Sequence, residues 1–214
     1  ELIGAALSFI VFIQDYSLFR AIGVSLFHSV ASFNNAGFDI LGGGQSMVPY
    51  TDNIFLNIIT CVLIFFGGIG FLVIQELWQK KCQWKKLSMH TKVVLSVSLA
   101  LIIIGTLLIK LTEPVSWLCA LFHSVSTRTA GFASRPIGDF GAPALLVMIV
   151  LMFIGASSGS TGGGIKTSTF FVLIRGIFSA ATNQSEKAFH YSIPKDAFKK
   201  AAVISILAQT PALI

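Results

Sequence analysis

The phrase "FHSVASFNNAGF" at residues 27–38 returns as "FHSVSTRTAGF" at 122–132. Phe27 and Phe122 are 95 residues apart and Gly37 and Gly131 are 94 apart, so one residue is lost between the flanks. Recurrence at a fixed offset marks a duplicated structural unit, and any fold for this chain must accommodate that unit twice. His28 stands opposite His123, and Arg128 stands where the first copy has Asn34.

The second copy shows what the unit contains. It opens with "VVLSVSLALIIIGTLLI" at 93–109, near the ~20 apolar residues a bilayer demands. "LTEP" then interrupts the pattern, with Pro114 suited to the start of a new helix. The next apolar piece, "PVSWLCALFHSVST", has only 14 residues. At ~1.5 Å per residue it reaches about 21 Å, short of the ~30 Å hydrocarbon core, so it is expected to dip into the membrane and return. The first copy offers a truncated helix at 2–13, a short helix at 21–33 and a full span, "IFLNIITCVLIFFGGIGFLVI", at 54–74. The expected order is a first unit over 1–80, a basic linker at 81–92, a second unit over 93–181 with its last helix split, a second linker at 182–200, and the start of a further membrane helix at 201–214. The chain opens and stops inside apolar runs, which reads as part of a longer protein. The expected fold class is an all-α polytopic membrane protein, with repeated helix, re-entrant pore helix and helix units around a pore.

Composition agrees with a bilayer environment. The chain is 54% hydrophobic and 11% charged, with 19 Phe among 214 residues, against roughly 25% charged residues in an ordinary soluble domain. Of its 15 Lys and Arg, five fall in 80–92 and four in 187–200. Basic loops between apolar spans set orientation, so 75–92 and 182–200 are assigned to the cytoplasm and nucleic acid is not an expected partner. Both repeated phrases then lie towards the other side, where Asp15, Asp39, Asp52, Glu113 and Asp139 gather. Cys61, Cys82 and Cys119 are odd in number and far apart, a pattern of plain thiols with no disulfide or zinc framework.

Each short helix ends in polar, glycine-containing sequence, Asn34, Asn35, Ala36, Gly37 and Phe38 in one copy and Thr127, Arg128, Thr129, Ala130, Gly131 and Phe132 in the other. Non-helical backbone at membrane depth leaves carbonyls unpaired, which is tolerable where they line an aqueous path and coordinate a dehydrated cation. Glycine reaches backbone angles that turn such a carbonyl inwards, and the helix presents its negative C-terminal end to the same place. A glycine turn in a plain helical hairpin is the simpler alternative, weakened by the two matching copies. His28 and His123 lack further ligands and read as hydrogen-bonded structural histidines. For Arg128, tuning of ion entry and bracing of the loop both stay open.

From Phe140 to Ala181 there are 42 residues, ~63 Å as one helix and about twice the hydrocarbon core. The polar stretch Gly155, Ala156, Ser157, Ser158, Gly159, Ser160, Thr161, Gly162, Gly163, Gly164, Ile165, Lys166 and Thr167 divides it into two half-helices around an irregular loop. A phosphate loop is excluded because Ile165 separates Gly164 from Lys166, against the GxxxxGK[ST] spacing. "GASSG" fits the GxSxG nucleophile pattern but follows helix instead of strand. An intramembrane serine protease using Ser157 or Ser158 is the alternative function, although the sole downstream histidine, His190, lies in a Lys-containing loop.

"SFNNAGFD", "STRTAGF" and above all "GASSGSTGGGIKTSTF" resemble the Trk/Ktr/HKT superfamily of potassium transporters, most closely its bacterial KtrB-type subunits. In that family four helix–pore helix–helix units in one polypeptide surround a single pore, and this chain is similar to the second and third units with the beginning of the fourth. The resemblance implies that residues 34–38 and 127–132 supply two of four selectivity-filter walls and that 155–167 form an intramembrane gating loop. It also implies transported K⁺, or Na⁺, without an organic cofactor or a further metal. The implied partners are the remaining repeats, a second copy in a homodimer and a cytosolic nucleotide-binding regulatory ring. The implied location is the cell membrane, as a multi-pass protein of the bacterial inner membrane, and no enzymatic activity is implied.

Overall fold

A computed structural model of the chain describes residues 1–39, 41–182, 187–189, 191–192 and 195–209. The described residues are all-α apart from a two-residue antiparallel pairing of Lys187–Ala188 with Tyr191–Ser192. In the first unit α1 (Leu2–Phe12) and α2 (Leu18–Phe33) precede α3 (Ile54–Ile69) and α4 (Phe71–Gln79). In the second, α5 (Met89–Thr112), α6 (Trp117–Ser126), α7 (Ala142–Phe153) and α8 (Thr167–Thr182) follow, and α9 (Lys195–Gln209) comes last. The second unit holds a short helix, α6 with 10 residues, between α5 with 24 and α7 with 12, whereas in the first unit α2, with 16 residues, is as long as α3 and longer than α1 with 11. Ser116 caps α6 by accepting from the Cys119 N–H at 3.1 Å, so the "LTEP" break is followed by a properly started helix.

Helix α3 packs on both α2 and α6, so the two units share a wall. The core continues across it: Phe12, Val24, Leu56 and Ile64 join Phe122, Val125, Ala130 and Phe132 in one buried cluster. His28 helps to seal this junction. Its ring meets Phe12 and Phe132 edge-on at 5.7 and 5.5 Å. The Thr60 hydroxyl donates to the Leu56 carbonyl at 2.8 Å and accepts from His28 Nε2 at 2.8 Å. His123 bonds instead to the Cys119 carbonyl at 3.0 Å and stacks near Phe140 at 4.8 Å. Both histidines are structural, as their lack of ligand partners predicts.

Three differences from the expected layout matter. The run 54–74 is not one straight span: α3 stops at Ile69, Gly70 takes φ +89° with ψ 149°, and α4 leaves at 95° to α3. With 16 residues α3 covers only about 24 Å. Among the described residues, α5 is the one helix long and apolar enough to cross a bilayer by itself. Secondly, α5 begins at Met89 and α9 at Lys195, inside the stretches expected to be linkers. Helical capping explains the first of these, since the Ser88 hydroxyl accepts from the Thr91 N–H. Thirdly, the AGF segments differ in burial: Phe38 is 63% exposed and Phe132 only 4%.

At the turn between α4 and α5, Glu76 receives the Lys80 ammonium at 2.5 Å, the Ser88 N–H at 2.8 Å and the hydroxyls of Ser88 and Thr91. Partial burial pushes this carboxyl up, but these donors outweigh it and hold it at about 2. The bent α4 is thereby clasped to the start of α5.

Candidate functional site

Each short helix runs directly into its AGF segment. Asn34 caps α2, its amide donating to the Val30 carbonyl at 2.9 Å, and Asn35 enters the left-handed region at φ 52°. Ala36 donates its N–H back to Ala31 at 2.9 Å, and Gly37 follows at φ 62°. In the second copy the Thr127 hydroxyl donates to the His123 carbonyl at 2.6 Å, Thr129 sits at φ 80° and Gly131 at φ 86°. Ala130 and Gly131 both donate to the Ser126 carbonyl, at 2.9 and 3.1 Å. The equivalent pairs, Asn35 with Thr129 and Gly37 with Gly131, thus share left-handed backbone. A β-branched residue such as Thr129 rarely adopts it.

The two segments abut. A Cβ at Gly37 would collide with the Ala130 carbonyl oxygen, whereas one at Gly131 would find only the Gly37 Cα at 3.7 Å. Of the described residues, none donates a hydrogen bond to the carbonyls of Asn35, Ala36, Gly37, Thr129, Ala130 or Gly131. Oxygen atoms left open in this way at a helix C-terminus are suited to a cation. Beyond them lies a cavity of about 830 Å³, lined by Gly37, Asp39, Gln45, Ser46, Gly131 and Ile137 among others.

Residues 155–166 join α7 to α8 as a loop closed at its neck. Ile154 pairs with Ile165, Ala156 N–H donates to Gly163 at 3.1 Å, and Thr167 N–H donates to Ala156 at 3.3 Å. The backbones are so close there that a Cβ on Gly155 would overlap the Gly163 carbonyl. Lys166 Nζ donates to the Gly162 carbonyl at 2.8 Å, which turns its charge inwards on the loop itself. Ser157 and Thr167 share a hydroxyl bond at 3.0 Å, Ser158 and Ser168 one at 3.4 Å, and Ser160 donates to the Ser157 carbonyl at 2.6 Å.

The loop is seated in the break between α3 and α4. The Ser157 N–H donates to Gly68 O at 2.9 Å, the Thr161 N–H to Gly67 O at 3.4 Å, and the Phe71 N–H returns a bond to Gly159 O at 3.1 Å. The bend at Gly70 therefore frees helical backbone groups that the loop satisfies. The sequence carried a signal for it in "GGIG" at 67–70. The loop also touches both AGF segments. Asn35 Nδ2 donates to the Thr161 hydroxyl at 2.8 Å, and Arg128, 9% exposed, donates to Gly155 O at 3.1 Å and to Ser98 O at 3.4 Å. Arg128 thus braces the loop's root.

The serine-nucleophile arrangement is not assembled. The hydroxyls of Ser157 and Ser158 face Thr167 and Ser168, and His190 lies outside the described residues.

The family model described as a cation transport protein, TrkH, matches residues 2–115 and 92–208. The chain is 43% identical over 164 residues to the Ktr system potassium uptake protein B of Vibrio alginolyticus, covering 69% of this chain and 35% of that one. It is 36% identical over 185 residues to the potassium/sodium uptake protein NtpJ of Enterococcus hirae, covering 81% and 40%. The solved structure of the potassium transporter TrkH from Vibrio parahaemolyticus matches with a TM-score of 0.68 at 22% identity, over 93% of this chain and 45% of that one. The chain spans less than half the length of these relatives. They are named as transporters and not as enzymes, which speaks against the protease alternative.

Proposed function

The chain belongs to the TrkH family of cation transport proteins, and from that premise we propose that it contributes two of four walls to a potassium-uptake pore. Residues 34–38 and 127–132 act as the filter walls and 155–167 as the gate beneath them. The observation that supports this reading is the abutting pair of left-handed turns whose carbonyls receive no hydrogen bond from any described residue, with a glycine loop directly against them. A cation stripped of water needs such oxygens.

The relatives' names include both potassium and sodium uptake, and K⁺ is the proposed cargo, with Na⁺ the competitor. Two walls do not enclose a four-sided site, so conduction belongs to the complete polypeptide. It works in the cell membrane, as a bacterial inner-membrane protein, paired as a homodimer and controlled by a cytosolic nucleotide-binding ring. The test is K⁺ uptake into liposomes carrying the complete protein, normalised to protein inserted, with and without residues 157–164. Deletion should raise flux. Folded deletion variants with flux at or below the parent would refute the gate.

A further inference from the structure

We propose that Asn35 and Thr161 form a latch through which the first filter wall holds the loop shut, an inference that rests on reading 155–167 as a gate. The Thr161 hydroxyl donates to the Phe33 carbonyl at 3.1 Å and so offers its lone pairs to the Asn35 amide, which donates at 2.8 Å. Phe33 is the last residue of α2, so one hydroxyl ties the tip of the loop to the pore-helix end and to the filter segment together. Asn35 is 9% exposed and lies at φ 52°, two residues past the end of α2 at Phe33. Asparagine tolerates that conformation better than most residues.

The second repeat supplies an independent observation at the equivalent position. Thr129, also left-handed, keeps a buried hydroxyl with no partner among the described residues beside Gly162, where an added Cβ would lie 2.5 Å from it. Consecutive loop residues, 161 and 162, thus meet the same position of both filter copies. Strained backbone persists where the surroundings over-determine it, and here the strain falls at both points of contact with the loop. Asn35 and Thr161 are positioning residues: neither needs to touch the ion. Opening the gate requires the Asn35 amide to let go, so filter geometry and loop position report on one another.

The experiment measures K⁺ flux into liposomes for the complete protein, normalised to inserted protein, with the 157–164 deletion as the reference for an absent gate. Thr161→Val keeps shape and removes the hydroxyl. Asn35→Ala, which removes the shared bond alone, should raise flux about 2- to 12-fold, the range over which one hydrogen bond moves an equilibrium, and Thr161→Val, which also removes the bond to the Phe33 carbonyl, should raise it at least as much. The combined variant should not exceed the larger single effect, because the two residues share one bond. Thr161→Ser, which keeps the hydroxyl, should return flux towards the parent. Parental flux in Thr161→Val beside a raised flux in the deletion would overturn the latch and leave the gate standing. Independent, multiplying effects in the combined variant would overturn it equally. A deletion that does not raise flux would remove the gate and the latch with it. If Asn35→Ala fails to insert, the Val and Ser variants at 161 decide alone.

Discussion

Gly37 and Gly131 occupy the same place in the repeat, yet substitution should harm one more than the other. Both lie in the left-handed region, at φ 62° and 86°, where a side chain costs an L-residue about 1–2 kcal/mol. For Gly131 that is nearly the whole effect, since its Cβ would make ordinary contact with the Gly37 Cα at 3.7 Å. Gly131→Ala should therefore reduce preference for K⁺ over Na⁺ by no more than roughly 5- to 30-fold, the equivalent of that strain. A Cβ on Gly37 instead runs into the Ala130 carbonyl, with the Gly131 backbone 3.0 Å away. No flexible side chain is there to yield, so the Ala130 carbonyl itself must turn. Gly37→Ala should abolish the preference, because it displaces an oxygen that the proposed second wall would present to the ion. The assay is the ratio of K⁺ to Na⁺ uptake in liposomes containing the complete protein, at matched insertion. Equal losses, the reverse order or parental preference in both variants would refute the reasoning.

Two further outcomes are expected. Glu76 is held at about 2 against an ordinary value of 4.5, so its contribution is complete above about 4.5 and lost as pH falls towards 2. Thermal unfolding in detergent should show the parent losing stability through that window, whereas Glu76→Gln starts lower at neutral pH and loses less; identical profiles would remove Glu76 from the α4–α5 clasp. Cys82 is exposed, and Cys61 and Cys119 are buried. A membrane-impermeant thiol reagent should therefore label Cys82 from the cytoplasmic face alone, and labelling from outside would invert the orientation set by the lysines.

The repeat, the short helices and the split of the last span were legible because each interrupts an apolar run with residues that lipid excludes. "GASSGSTGGGIK" could not be continuous helix, and its division of α7 from α8 follows from length and composition alone. The bend at Gly70 was hidden for the opposite reason: 54–74 has the length and apolarity of a complete span. The glycines at 67–70 permit a break there, but what makes it is a set of partners some ninety positions away, such as Ser157 on Gly68. The task of Arg128 was open for the same cause. A lone arginine beside the repeated motif fits ion entry or bracing, and its reach to the Gly155 and Ser98 carbonyls is set by elements some thirty positions away on either side. The diverging burial of Phe38 and Phe132 likewise depends on neighbours from outside each repeat.

The seat at 67–70 makes the duplicated halves unequal. One half carries the plug and the other is the socket, since Gly67 and Gly68 accept from Thr161 and Ser157 while Phe71 donates to Gly159. Neither half can drift alone: a side chain gained at Gly70 would press on the Ser158 carbonyl, 2.8 Å from its Cβ. Changes at 67–71 and at 157–161 are therefore bound to be compensated across the repeat boundary. A gene cut within the lysine-rich linker at 80–92 would give two products, each with an unmatched face, and the plug would find its socket only when the products meet again.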